Sequence, residues 1–190
     1  MKSSLKDFHH YKGDDLTKFE KVERKVMEII VTSAIPDDAR EDSKLFECMH
    51  AGGCMAIGRL LAAKRKLNID IASVACMLHD IAVIKTGQYK DHAKRGAPMA
   101  EEILREIGGF SPEEIDTITQ AVLHHSEKEI YSDQPYTELV KDADVLEPSL
   151  YKNAEEYYRL HKPPEIFTEY VKRIKNTRKE LGLAQEGVFR

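Results

Sequence analysis

The run DIASVACMLHDIAVI, residues 70–84, is apolar on nearly every side except where a histidine and an aspartate stand together, His79 and Asp80. A helix that is apolar all round belongs in the middle of a bundle. An imidazole and a carboxylate carried into that interior are costly unless they are paired or bound to a metal. Any fold this chain adopts must therefore bury residues 70–84 and bring polar partners to His79 and Asp80 from other segments.

The rest of the chain supplies helices for such a bundle. Leu16, Phe19, Val22, Val26, Ile29 and Ile30 form a helical stripe over residues 15–32. A second helix is expected over 40–67, where the pair Gly52-Gly53 implies close approach of another backbone or a ligand, since each glycine costs about 1 kcal/mol there. The run 70–84 reads as one continuous helix ended by Gly87. A loop is expected up to Gly96, then a helix opened by Pro98 and running to Ile107. SPEE at residues 111–114 combines a cap, a proline at the first helical position and a capping glutamate, and so opens a helix to about Glu127. Three more helices are expected, over 136–146, 149–160 and 164–181, the first of them stopped by Pro148. No alternating strand is apparent. The expectation is an all-α, single-domain helical bundle over residues 1–190, with a motif-bearing core at about 40–150 and C-terminal helices over 151–182.

Composition narrows the function classes. Charged residues make up 33% of the 190 and the net charge is -4, so no basic field marks a nucleic-acid binder. No apolar run is long enough for a membrane span, and no signal-peptide pattern follows Met1. Cys48, Cys54 and Cys76 form neither a CxxC pair nor an even framework, and free thiols point to a reducing, cytoplasmic setting.

Four of the eight histidines, His50, His79, His124 and His125, fall in expected helices among apolar or small neighbours, and His92 lies just ahead of the Pro98 helix. Asp144 stands between Ala143 and Val145. Each alone is best read as an ordinary core or surface group; together they offer imidazoles and carboxylates from several helices, as a transition-metal site requires. Adjacent helix residues project about 100° apart, so His79 and Asp80 can address one point with a nitrogen and an oxygen. The carboxylate of Asp80 can also bridge two ions.

In this order, His50, His79-Asp80, His92, His124-His125, Asp144, the chain resembles the HD-domain superfamily of metal-dependent phosphohydrolases. SVACMLHDIA is similar to the family's apolar run into HD, HAKRGAPMAEEIL to its His-to-Gly-Ala segment and KDADVLEP to its closing Ala-Asp segment. The resemblance implies an all-α fold and a first metal held by His50, His79, Asp80 and Asp144. In two-metal members Asp80 bridges, and His92 with one of His124 and His125 holds the second ion; His125, which directly precedes Ser126, is favoured. His9, His10 and His161 match nothing in the pattern. The Gly-Lys that follows HD in many relatives is replaced by Ala82-Val83, and the GYP motif of cyclic-dinucleotide hydrolases is absent.

The implied activity is hydrolysis of a phosphate mono- or diester of a nucleotide or other small molecule by a metal-activated water, with His79 and Asp80 at the catalytic centre. Mixed nitrogen and oxygen ligands favour one or two ions of Mn, Fe, Co or Ni over Mg or Zn. Lys85, Lys94 and Arg95 are candidate phosphate contacts, with Lys141, Tyr89 and Tyr131 as further candidates. The basic residues Lys172, Arg173, Lys175, Arg178 and Lys179 read as a solvated helix face. The expected partner is a small phosphorylated substrate, with neither nucleic acid nor membrane, and homo-oligomerisation is left open. Two alternatives use the same residues: a di-iron oxygenase of HD-like fold, and a non-catalytic nucleotide-binding regulatory module.

Overall fold

The computed structural model describes residues 10–190, so His9 lies outside the described residues. Every regular element among them is helical: α1 Lys18–Thr32, α2 Lys44–Arg65, α3 Ile69–Leu78, α4 Ile81–Thr86, α5 His92–Ile107, α6 Pro112–His124, α7 Pro135–Ser149, α8 Ala154–His161 and α9 Pro164–Glu180, with a short 3-10 turn at Asp37–Ala39. Local chemistry sets the starts. Thr17 and Ser111 each close a reciprocal capping box, with Glu20 and Glu114 respectively. Ser43 and Asn68 cap α2 and α3 by accepting from backbone amides of their first turns. No helix of the described residues is long and apolar enough to cross a membrane.

Helix α3 is the axis of the bundle. Every residue from Ala72 to Leu78 is buried, and the helix packs against α1, α2, α6 and α7. Gly58 of α2 permits the tightest of these contacts, because a Cβ there would stand 2.5 Å from Cys76 Sγ. A smaller apolar cluster, Val145, Leu146, Tyr170 and Ile174, joins α9 to α7.

Several boundaries differ from the sequence expectation; α2 begins at Lys44 rather than at 40 and α8 at Ala154 rather than at 149. The run 70–84 is two helices rather than one: α3 ends at Leu78, and Asp80, at φ −102° and ψ 22°, turns the chain into α4. Helix α5 begins at His92, six residues before Pro98. That proline forfeits one ladder bond, to the carbonyl of the exposed Lys94. Pro148 likewise lies inside the last turn of α7 rather than stopping it. Helix α6 ends at His124, ahead of the expected Glu127.

A buried ion pair fastens α4. Arg40 Nη2 lies 2.7 Å from Glu47 of α2 and donates to the carbonyls of Val83 (3.2 Å) and Ile84 (2.8 Å). Both side chains are almost fully buried, so either charge alone would be stranded. Replacing Arg40 by Met should cost about 3–5 kcal/mol in denaturant unfolding. The double variant Arg40→Met/Glu47→Leu should lose much less, because no buried charge is left unpaired.

Candidate metal centre

Six side chains meet where α3 breaks. Asp80 is the hub, and it does not cap α4 with its side chain, which leaves both oxygens for the cluster. Oδ2 faces His79 Nε2 at 3.3 Å and His50 Nε2 at 3.6 Å. Oδ1 faces His125 Nε2 at 3.3 Å and His92 Nε2 at 3.4 Å. Asp144 of α7 closes the first group, its Oδ1 lying 3.3 Å from His50 Nε2 and 3.6 Å from His79 Nε2. The two halves of the cluster thus share one carboxylate.

The backs of the imidazoles explain where their fronts point. Nδ1 of His79 lies 2.7 Å from the Cys76 carbonyl, that of His92 2.9 Å from Tyr89 O and that of His125 2.7 Å from Val122 O. His50 Nδ1 lies 2.7 Å from Glu147 Oε2. A carbonyl or carboxylate accepts only, so each Nδ1 carries the hydrogen and, in the neutral ring, Nε2 presents a lone pair. Those lone pairs face one another, at 3.1 Å between His50 and His79 and 3.0 Å between His92 and His125. Asp80 Oδ1, though buried, has no hydrogen-bond donor. Lone pairs set against lone pairs beside an orphaned carboxylate oxygen call for a cation between them, so the donor set fits transition-metal ions.

The electrostatics show that the pocket stabilises positive charge, since His50 as well as His79 is raised well above its ordinary value. Burial works to raise the Asp80 carboxyl, yet the His79 charge and the surrounding imidazoles hold it well below the usual carboxylate range. At Asp144 burial is again outweighed, here first by the Lys128 ammonium. Burial lowers His79, but Asp80 and Asp144 lift it well above its ordinary value. His125 goes the other way, pushed down to about 4 by burial, with the His79 and Lys128 charges adding to the effect. The pocket thus favours positive charge between its carboxylates while keeping His125 a neutral donor.

Several contributors were missed by the sequence pattern. Lys128, nearly fully buried, donates to the His125 carbonyl at 2.5 Å and ion-pairs with Asp144 Oδ2. That pairing leaves Asp144 Oδ1 for the imidazoles. Glu147 backs His50, and Gly53 makes room for it: a Cβ at Gly53 would stand 2.6 Å from Glu147 Cγ. The close approach expected at the Gly52-Gly53 pair is therefore to the side chain that backs His50. Cys54, one turn after His50, brings Sγ to 3.6 Å from His50 Nδ1 and joins His50, His79 and Asp144 as a group able to hold a metal ion. The i, i+4 spacing of His50 and Cys54 could have revealed it.

Other sequence candidates lie elsewhere. His124 is exposed to about two-fifths and faces Glu127 at 2.9 Å, outside the cluster. Lys85 pairs with Glu102, and Arg95 donates to Thr86 Oγ1 and the Gln88 carbonyl. Lys94 is exposed, and Tyr131 donates to Glu169. Lys141 is buried against Ile130 O and Glu138. The solvated-face reading fails at Arg173, which is buried and donates to Lys128 O at 2.6 Å while pairing with Asp142 and Glu138. Through that bond α9 holds the loop that carries Lys128.

Beside the histidine-carboxylate cluster opens a cleft of about 900 Å³ whose walls include His50, Asp144, Phe46, Tyr89, Tyr158 and Lys162. A cleft of that size against a cation site suits a small-molecule ligand. No curated protein and no solved structure matches the chain. The family profile of the HD domain matches residues 49–149, from the helix of His50 to the end of the helix of Asp144. With more than half of its length matched, the chain belongs to the HD domain family, most of whose members are metal-dependent hydrolases.

Proposed function

We propose that the protein is a metal-dependent phosphohydrolase acting on a phosphate mono- or diester of a nucleotide or other small molecule. The observation that carries this reading is the shared carboxylate: Asp80 Oδ2 faces His50 and His79 while Oδ1 faces His92 and His125. In this reading His50, His79, Asp80 and Asp144 hold a first divalent ion, and His92, His125 and the other oxygen of Asp80 hold a second. The nitrogen-rich donor set favours Mn, Fe, Co or Ni over Mg.

Bound there, such ions supply Lewis acidity toward a phosphate oxygen and an acidified water. The chain's own residues do the positioning. Backbone carbonyls behind His79, His92 and His125 fix the ring orientations, and Glu147 does the same for His50. Lys128 holds Asp144 by one oxygen. The ring of Tyr89 lines the cleft and lies 4.4 Å from that of His92. The apolar walls of α3 and α4 limit water to the cleft side.

Elemental analysis should find about two transition-metal ions per chain, and a phosphate-ester screen with Mn²⁺, Co²⁺ and Ni²⁺ should reveal turnover. Asp80→Ala, with helicity preserved by circular dichroism, should abolish both; unimpaired turnover in that variant would refute the reading. His125→Ala should lose the second ion, whereas His124→Ala should retain both ions and near wild-type turnover, a contrast that metal stoichiometry checks directly. Glu147→Ala should weaken metal affinity about 10–100-fold in a competitive chelator titration, as expected for loss of the group that orients a ligating histidine.

A further inference from the structure

The matched segment ends at residue 149, but the cleft does not. Its far wall comes from the C-terminal helices: Tyr157, Tyr158, His161 and Lys162 from α8 and its end, and Tyr170 from α9. Lys162, half-buried in this wall, differs from the fully buried lysines among the described residues. Lys128 and Lys141 are each held by a carboxylate. Among the described residues none pairs with Lys162, whose ammonium lies 5.6 Å from the Tyr170 ring centroid. Burial and the nearby Lys128 charge press this ammonium toward its neutral form, with Asp144 opposing. It therefore sits within electrostatic reach of the metal cluster, in a partly dehydrated wall, without a counter-charge.

An unpaired, half-buried cation facing a cleft is stabilised when an anion enters. Its neighbours define the rest of the ligand. Phe46 stacks on His50, with ring centroids 5.5 Å apart and planes 10° apart, and lies 5.9 Å from Tyr151. Tyr158 and Tyr170 pack 5.1 Å apart beside Lys162. These rings offer faces and edges to an aromatic group of the ligand.

We propose that Lys162 is the anion-binding residue of the substrate subsite, holding phosphate oxygens of an ester whose aromatic portion lies against Phe46, Tyr151 and Tyr158. The C-terminal helix pair is then the specificity wall of the enzyme, added to the metal-bearing core. This rests on the phosphohydrolase reading for the word substrate, but not for the anion contact itself. A lysine contributes a point charge rather than a bidentate fork, so an arginine should substitute functionally while an apolar side chain of similar length should not.

The test is calorimetric titration of inorganic phosphate into Mn²⁺-loaded wild type, Lys162→Met, Lys162→Gln and Lys162→Arg, together with kcat and KM on a panel of aryl and nucleoside phosphates. Metal content and unfolding midpoints should be unchanged in all variants. Met and Gln should weaken phosphate binding about tenfold or more, a loss of about 1.4 kcal/mol, and raise KM with kcat little altered; Arg should preserve both. Equal phosphate affinity in wild type and the Met and Gln variants, or no phosphate binding by wild type, would overturn the assignment. Phosphate binding that depends on Lys162 in a protein that hydrolyses no ester of the panel would uphold the anion contact and refute the hydrolase reading.

Discussion

Four imidazoles turned so that their Nε2 atoms converge on one carboxylate are the constraint on which the rest of this structure depends. The four imidazoles are held against rotation, because each Nδ1 is tied to an acceptor: the carbonyls of Cys76, Tyr89 and Val122, and the Glu147 carboxylate. Three of those acceptors are backbone atoms three residues before the histidine they orient. The directions of those three rings are therefore set by backbone, and only that of His50 by a side chain, Glu147. Such an arrangement opposes folding unless a cation enters it, and it offers that cation preformed ligands.

Around this centre, buried charge is compensated pair by pair. Arg40 serves Glu47 and the last carbonyls of α4. Lys128 serves Asp144. Arg173 gathers Asp142, Glu138 and the carbonyls of Lys128 and Ile130. The pairs fasten the end of α4 and the loop between α6 and α7. Against this background, the ammonium of Lys162, half-buried in the cleft wall with no ion pair among the described residues, acquires meaning, since Lys128, Lys141, Arg40 and Arg173 are all matched to acceptors.

Much of this was legible in the sequence, and the illegible part follows a pattern. Helical periodicity, the cap at Ser111 and the apolar run over α3 announce an all-α bundle because they are local. The cluster was legible because its chemistry is unusual: histidines and aspartates in apolar surroundings stand out even when far apart in sequence. The break at Asp80 was not, because the apolar pattern runs unbroken through both α3 and α4 and conceals a turn made for the sake of one carboxylate. Pro98 and Pro148 misled because a proline forfeits only one ladder bond where the affected carbonyl is exposed or the helix is already ending. Lys128, Glu147 and Lys162 were hidden because lysine and glutamate are abundant on any surface. Only the packing shows that two of them are buried and that the third faces the cleft.

The most direct test is X-ray absorption at the metal edge of Mn²⁺- or Co²⁺-loaded protein. A first shell of nitrogen and oxygen, with multiple scattering from several imidazoles and no dominant sulfur, is the predicted result. A shell of oxygen alone, or one dominated by sulfur from Cys54, would contradict the placement of the ions between His50, His79, Asp80, His92, His125 and Asp144.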